Sequence, residues 1–160
     1  MAMIDINDIE LLIPLARNLD SKRINSFADQ VENVKGLEFL GRELYSDILD
    51  NPDTPENTEL IDRFRPVLIY WTYINYIEQG QFFNTATGIA VKRSDASLPL
   101  SDTEMDRVIN RNCKIARMYE SELYNFMKEN ADDYPLWRDA TQHTGCEKWK
   151  IAKTETSREI

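Results

Sequence analysis

The sequence predicts a mainly α-helical fold: a bundle of four to six helices around a buried central helix, with a short β-hairpin or strand near residues 82–93. The stretch from Val67 to Ile77, VLIYWTYINYI, is aliphatic or aromatic at nine of its eleven positions. Neighbouring elements must therefore cover this helix on almost every side. Before and after it, apolar residues recur at intervals of three and four, the period of an amphipathic helix. At eleven residues the stretch is too short to span a bilayer, which takes about 20.

Two helices are expected before the first glycines. Asn7 and Glu10 are predicted to form an N-cap and N3 pair, so that a short helix runs from about Asp8 to Ile13 and ends at Pro14. A surface helix with one buried face is expected over residues 22–34. Its inward positions are Ile24, Phe27, Ala28, Val31 and Val34.

Glycines and prolines predict the boundaries of the next elements. Gly36 and Gly41 interrupt the helical pattern, and a short helix with Leu49 among its inward residues is expected over 42–49. The central helix should begin with Thr54 as its cap and a proline in its first turn. Pro66 lies farther along the same helix and predicts a kink or break there, because an interior proline costs about 3 kcal/mol.

The segment Phe82 to Arg93, FFNTATGIAVKR, is the strand candidate of the chain because it is rich in β-branched and aromatic residues. Gly88 is expected at its turn, since glycine adopts positive φ without strain. A two-stranded ribbon is marginally stable in water. The segment is therefore expected either to pack on the helices or to pair with strands from other copies of the chain.

Ser101 and Glu104 form a capping box that predicts the start of the longest helix, which should continue to Lys128. After it, Tyr134, Leu136 and Trp137 can fold back on the helices as an apolar plug. We therefore expect a helical domain over residues 1–137 and, from composition, an extended or disordered tail over residues 138–160. Only Trp149 and Ile151 are candidate anchors in that tail.

Charge and cysteine content restrict the function classes. The net charge is −9, which argues against a sequence-reading DNA-binding protein, because Lys and Arg supply most non-specific affinity for phosphates. Residues 138–160 hold five basic and four acidic side chains, so residues 1–137 carry −10. The two cysteines are too few for a secreted disulfide scaffold. With no signal peptide pattern at the start, we expect a protein made in a reducing, intracellular compartment.

The sequence holds few groups for catalysis or metal binding. His143 is its one histidine, and with Cys146 it supplies two ligands at most, which is too few for a structural zinc site. The five glycines form no phosphate-binding loop. We therefore expect a protein that is not an enzyme and that needs no cofactor or metal.

Four stretches with a fixed order bear on function: GLEFLGRELYSDIL, RPVLIYWTYINYI, TATGIAVKRSD and NADDYPLW, which begin at Gly36, Arg65, Thr85 and Asn130. Together they resemble the small helical head-to-tail connector proteins (adaptor or ring proteins) of tailed phages. The nearest version is that of phages of the Bacteroides group, including the crAss-like phages. The resemblance covers residues 5–137 and does not extend to the tail.

The resemblance implies a structural virion protein that forms a ring of about twelve copies below the portal. The ring would line the channel through which the genome leaves, and an acidic lining would let DNA pass without binding it. Its partners would be other copies of itself, the portal protein and the next ring or tail protein, with no membrane involved. It would reside at the head-to-tail junction of the virion after assembly in the host cytoplasm.

A ring requires that one patch of each copy bind a different patch of the next. The candidate residues for these contacts belong to the β-prone segment, the apolar plug and the tail. They are Phe83, Thr85, Gly88, Ile89, Val91, Lys92, Tyr134, Trp137, Trp149 and Ile151.

An acidic helical binding protein or inhibitor that mimics DNA is the alternative, because of the negative charge. Such mimics present carboxylates in rows, whereas Arg and Lys are interspersed along residues 101–128.

Overall fold

A computed structural model describes residues 3–15, 20–79, 82–85, 88–91 and 101–137. In these ranges the chain forms five helices and two short strands. The helices are α1 (Ile6–Leu12), α2 (Ser21–Phe39), α3 (Gly41–Asp50), α4 (Pro55–Gln79) and α5 (Asp102–Glu129), and the strands are β1 (Phe82–Thr85) and β2 (Gly88–Val91). The prediction of a mainly helical fold is confirmed.

Helix α4 lies at the centre of the fold and packs against α1, α2 and α5. Its aliphatic positions Val67, Leu68 and Ile69 are buried, whereas Trp71 and Tyr73 are half-buried and pack at the margin of the core. Helices α2 and α5 both run antiparallel to α4. The evidence is that residues early in α4 meet the C-terminal ends of α2 and α5, as in the ring pair of Phe39 and Phe64 and the hydrogen bond from Tyr134 to the backbone of Glu56.

Four of the described helix starts have side-chain caps, including that of α2, where the Asp20 carboxylate accepts from the backbone N–H of Lys22 and Arg23. Ser101 and Glu104 form the predicted capping box at α5, and the Thr54 hydroxyl accepts from the Asn57 N–H at the start of α4. At α1 the predicted cap is wrong. Asp5, not Asn7, is the N-cap, and its carboxylate accepts from the backbone of Asn7 at 2.7 Å and of Asp8 at 3.1 Å. A carboxylate two residues earlier satisfies the free N–H groups of the first turn, so the helix begins earlier.

Neither Pro66 nor Gly36 interrupts its helix. Helix α4 continues through Pro66, so the predicted break is absent; tertiary packing of α4 offsets the cost of the missing backbone hydrogen bond. Helix α2 continues through Gly36 to Phe39. The missing side chain of Gly36 makes room for the ring of Tyr45 from α3, which would lie 2.6 Å from a Cβ at this position.

Two side chains predicted to face inward are exposed. Val34 is 63% exposed and Leu49 is 37% exposed. Each occupies the edge of an apolar stripe, where periodicity alone does not say how far a neighbouring helix extends.

Glu32 is a buried carboxylate that holds the N-terminal segment against α2. Its Oε2 accepts a hydrogen bond of 2.6 Å from the backbone N–H of Met3, whose carbonyl accepts from Arg65 of α4 at 3.4 Å. Burial raises the pKa of Glu32 above its ordinary value of 4.5. Burial, together with the charge of Glu32, raises the pKa of Tyr45 to about 12.

The first prediction concerns Glu32→Gln. Because the folded-state pKa of Glu32 is raised, its contribution to stability is present below the ordinary pKa and is lost as pH rises through the raised value. Glutamine stays neutral and still accepts the Met3 N–H. The variant should therefore lose less stability than the native chain between pH 4.5 and neutral pH in urea unfolding. Glu10→Gln, at an exposed position, is the control. If the free energy of unfolding of E32Q and of the native chain changed with pH in parallel, Glu32 would not be the source of this pH dependence.

The second prediction concerns Gly36→Ala. Replacing glycine by alanine inside a helix normally stabilises it by about 1 kcal/mol, but here the new Cβ overlaps the buried Tyr45 ring. We expect a net loss of about 1–3 kcal/mol in the free energy of unfolding. The exposed mid-helix change Ser26→Ala should have little effect. In a Tyr45→Leu background G36A should no longer destabilise; a stabilising G36A in the native background would contradict the packing argument.

Candidate functional site

The two strands form an antiparallel ribbon between α4 and α5 along the chain. Phe82 is opposite Val91, Phe83 opposite Ala90, Asn84 opposite Ile89, and Thr85 opposite Gly88. Gly88, expected at the turn, is instead the first residue of β2. The ribbon therefore contains five candidate assembly residues: Phe83, Thr85, Gly88, Ile89 and Val91.

Each strand of this ribbon pairs with the other along one edge only. In the described part of the chain no third strand joins the sheet. The outer edge of a strand carries backbone N–H and C=O groups in the spacing that a further strand requires. The ribbon thus offers a template for strand addition, the mode of recognition in which main-chain hydrogen bonds supply affinity.

The predicted apolar plug has two inserted aromatic residues and one exposed leucine. The Tyr134 hydroxyl donates to the Glu56 carbonyl at 2.9 Å, and the Trp137 Nε1–H donates to the Phe39 carbonyl at 2.9 Å. Leu136 is exposed. These two hydrogen bonds hold the end of the described chain against the start of α4 and the end of α2.

Tyr134 is a poor candidate for contact with another chain. It is 4% exposed, its ring packs edge-on against Phe126, and burial raises its pKa. Its side chain leaves almost no surface for a partner. Trp137 is half-buried and keeps part of its surface accessible. Lys92, Trp149 and Ile151 lie outside the described residues.

A groove that the sequence did not indicate lies between α2 and α5, with α4 beneath it. Its volume is about 740 Å³. Aromatic rings and charged groups line it: Lys35, Glu38, Phe39, Trp71, Arg117, Glu120, Ser121, Tyr124 and Asn125. We call it the α2–α5 groove.

Lys35 is the central charged residue of the α2–α5 groove. Its Nζ lies 3.0 Å from Glu120 Oε1 and 2.9 Å from Glu38 Oε2, and 4.4 Å from the centre of the Trp71 ring. Trp71 Nε1–H donates to the same Glu120 oxygen at 2.5 Å. One lysine therefore links α2, α4 and α5 through an ion pair and a cation–π contact, and the side chains of Lys35 and Glu120 are only 15% and 16% exposed.

The sequence does contain a signal for this cluster. Lys35 follows Val31 by four residues and precedes Phe39 by four, so it lies on the buried stripe of α2. Glu120 likewise follows the buried Ala116 by four residues on α5. Opposite charges within the apolar stripes of two neighbouring helices indicate a buried ion pair.

The described residues show no arrangement for metal binding, since no group of three His, Cys, Asp or Glu side chains comes together among them. Cys113 is a half-buried free thiol whose pKa is raised by burial, which lowers its nucleophilicity at neutral pH. His143 and Cys146 lie outside the described residues. Among the described helices none is long and apolar enough to cross a membrane.

Comparison with known proteins identifies a family. A family model described as a family of unknown function, DUF6712, matches residues 37–147, which is more than half of the chain. The chain therefore belongs to that family. No curated protein and no solved structure shows significant similarity to it.

The third prediction compares two ion pairs. A double-mutant cycle with Lys35→Met and Glu120→Gln should give a coupling free energy of about 1–2 kcal/mol, because these side chains are only 15% and 16% exposed. The same cycle on Arg63 and Glu59, whose side chains are 49% and 53% exposed, should give about 0.3–0.5 kcal/mol. Urea unfolding measures both. Equal coupling in the two cycles would show that the buried pair does not link the helices.

Proposed function

We propose that this member of the DUF6712 family is a structural, non-enzymatic virion protein, a subunit of a head-to-tail connector ring of about twelve copies. The ring lies below the portal and lines the channel through which the genome leaves. Its partners are neighbouring copies, the portal protein and the next ring or tail protein. The observation that carries the proposal is the small β-ribbon with two outer edges, which lies between α4 and α5 in the order of the chain.

The ribbon supplies the kind of contact that a ring needs. A two-stranded sheet is marginal by itself, and an added strand from a neighbour stabilises it through main-chain hydrogen bonds. Such a contact joins two different patches, so it repeats in one direction and closes into a ring when the rotation between copies allows. Phe83, Ile89 and Val91 belong to the two strands and are of residue types that are enriched in β-structure.

The packing of the helices suits a subunit that must keep its shape. Helix α4 packs against α1, α2 and α5. Hydrogen bonds from Tyr134 to Glu56 and from Trp137 to Phe39 connect the segment after α5 to the start of α4 and the end of α2. A ring subunit must keep its shape while DNA passes, and a body with a close-packed interior deforms little.

The charge supports a channel more than a DNA-binding surface. Residues 1–137 carry −10, which repels phosphates and lets DNA slide without being held. A DNA-mimic inhibitor needs unpaired rows of carboxylates. On α4 the exposed carboxylates of Glu59 and Asp62 are instead paired with arginines at 2.8 Å and 3.0 Å, which favours the connector over the mimic.

Light scattering and negative-stain electron microscopy test the proposal on the full chain, alone and mixed with the portal protein of the same phage. We expect closed rings in the mixture, or in both samples, and retention of the chain on the portal. A chain that stays monomeric with the portal present, and that binds a basic protein instead, would refute the connector and support the mimic.

The fourth prediction concerns the double variant Ile89→Lys, Val91→Glu. Charges on a strand edge oppose edge-to-edge pairing, so ring formation should be lost while the helical circular dichroism is unchanged. The matched control is Leu11→Lys, Leu136→Glu, which makes the same kind of change at two exposed apolar residues outside the ribbon. The control should still form rings. Rings from the ribbon variant would show that the assembly contact lies elsewhere.

A further inference from the structure

The lining of the α2–α5 groove combines aromatic rings with charged and polar side chains. Three aromatic residues, Phe39, Trp71 and Tyr124, line it, and each is half-buried. The charges of the lining sum to zero, because Lys35 and Arg117 offset Glu38 and Glu120. The partly exposed aromatic rings are therefore the part of the lining that an apolar side chain can contact.

The described chain ends beside this groove. Trp137 donates its indole N–H to the Phe39 carbonyl, and its ring lies 6.1 Å from that of Tyr124 in an edge-on arrangement. Phe39 and Tyr124 are both lining residues of the groove. Residue 138 therefore starts next to the groove, and 23 residues follow Trp137.

One short segment of those 23 residues has the composition that the groove selects. In KWKIAK, residues 148–153, Trp149 and Ile151 alternate with Lys148 and Lys150. In an extended chain this alternation places the two apolar side chains on one side and the two lysines on the other. The segment carries three positive charges, against −10 for residues 1–137, so long-range attraction adds to the apolar contact.

We propose that residues 148–153 of the same chain bind in the α2–α5 groove, with the Trp149 indole against the rings of Phe39, Trp71 and Tyr124. Twelve residues lead from Trp137 to Trp149, and a linker of this length reaches up to about 40 Å when fully extended. A tether this short gives an effective concentration in the millimolar range. Binding within one chain therefore outcompetes binding of a second copy at ordinary protein concentrations.

Disulfide trapping in the full chain tests the proposal. Cys146 precedes Trp149 by three residues, and Ser121 is an exposed residue of the groove lining. In a Cys113→Ala background, Ser121→Cys should form a disulfide with Cys146 within the monomer. Its yield should not change over about a hundredfold range of protein concentration, as expected for an intramolecular reaction.

Two controls separate binding from random proximity. Ser46→Cys is exposed on α3, a helix that begins two residues after Phe39, so it is within reach of the tail but outside the groove. It should trap Cys146 about tenfold less. Trp149→Ala should reduce trapping at position 121 about tenfold through loss of the anchor, whereas Arg158→Ala should leave it unchanged.

The outcomes are distinct. Monomeric trapping at position 121 that depends on Trp149 supports the proposal. Equal trapping at positions 46 and 121, or trapping that is indifferent to W149A, overturns it. Predominant covalent dimers at position 121 also overturn it and assign the groove to the tail of a second copy.

Discussion

The fold depends on the covering of α4. A helix with apolar residues on nearly every side is unstable in water unless other elements surround it, and α1, α2 and α5 do so. Helices α2 and α5 run antiparallel to α4 because residues with matching apolar stripes then meet along its whole length. The positions that these helices leave half-covered hold Tyr70, Trp71 and Tyr73, whose polar atoms tolerate contact with water. The coverage of α4 thus determines both the core and the margin where other groups can bind.

The same covering explains why a charged cluster joins three helices. Where α2 and α5 approach each other above Trp71, neither helix closes the gap completely. Lys35 and Glu120 fill it with their long side chains and pair at 3.0 Å, so each charge has a partner in a place with little water. What remains above the pair is the α2–α5 groove.

Sequence alone predicted most of the features that local chemistry determines, the exception being the N-cap of α1, which is Asp5 and not Asn7. The capping box of Ser101 and Glu104 and the cap at Thr54 act within a single turn, so they were predicted correctly. The mainly helical class followed from periodicity. Features that depend on distant residues were missed: Gly36 stays helical because Tyr45 fills its space, α4 continues through Pro66 because its neighbours hold it, and the groove exists only once three helices are assembled. Tyr134 was a candidate for contact with another chain, but its side chain is buried. The sequence does not distinguish these cases, because an aromatic residue after a helix packs inward as readily as outward.

The two surfaces proposed for contacts, the β-ribbon and the α2–α5 groove, have different physical characters. The ribbon offers backbone groups and selects an extended strand with little regard to its side chains, whereas the groove offers aromatic rings and selects a particular side chain. A chain that fills its own groove leaves the ribbon as the surface for a second copy. In the proposed ring the contact between neighbours joins unlike patches, so one edge of the ribbon would meet a part of the next copy other than the equivalent edge. The two proposals are compatible, because a tail bound in the groove of its own subunit would not compete with a contact made by the ribbon.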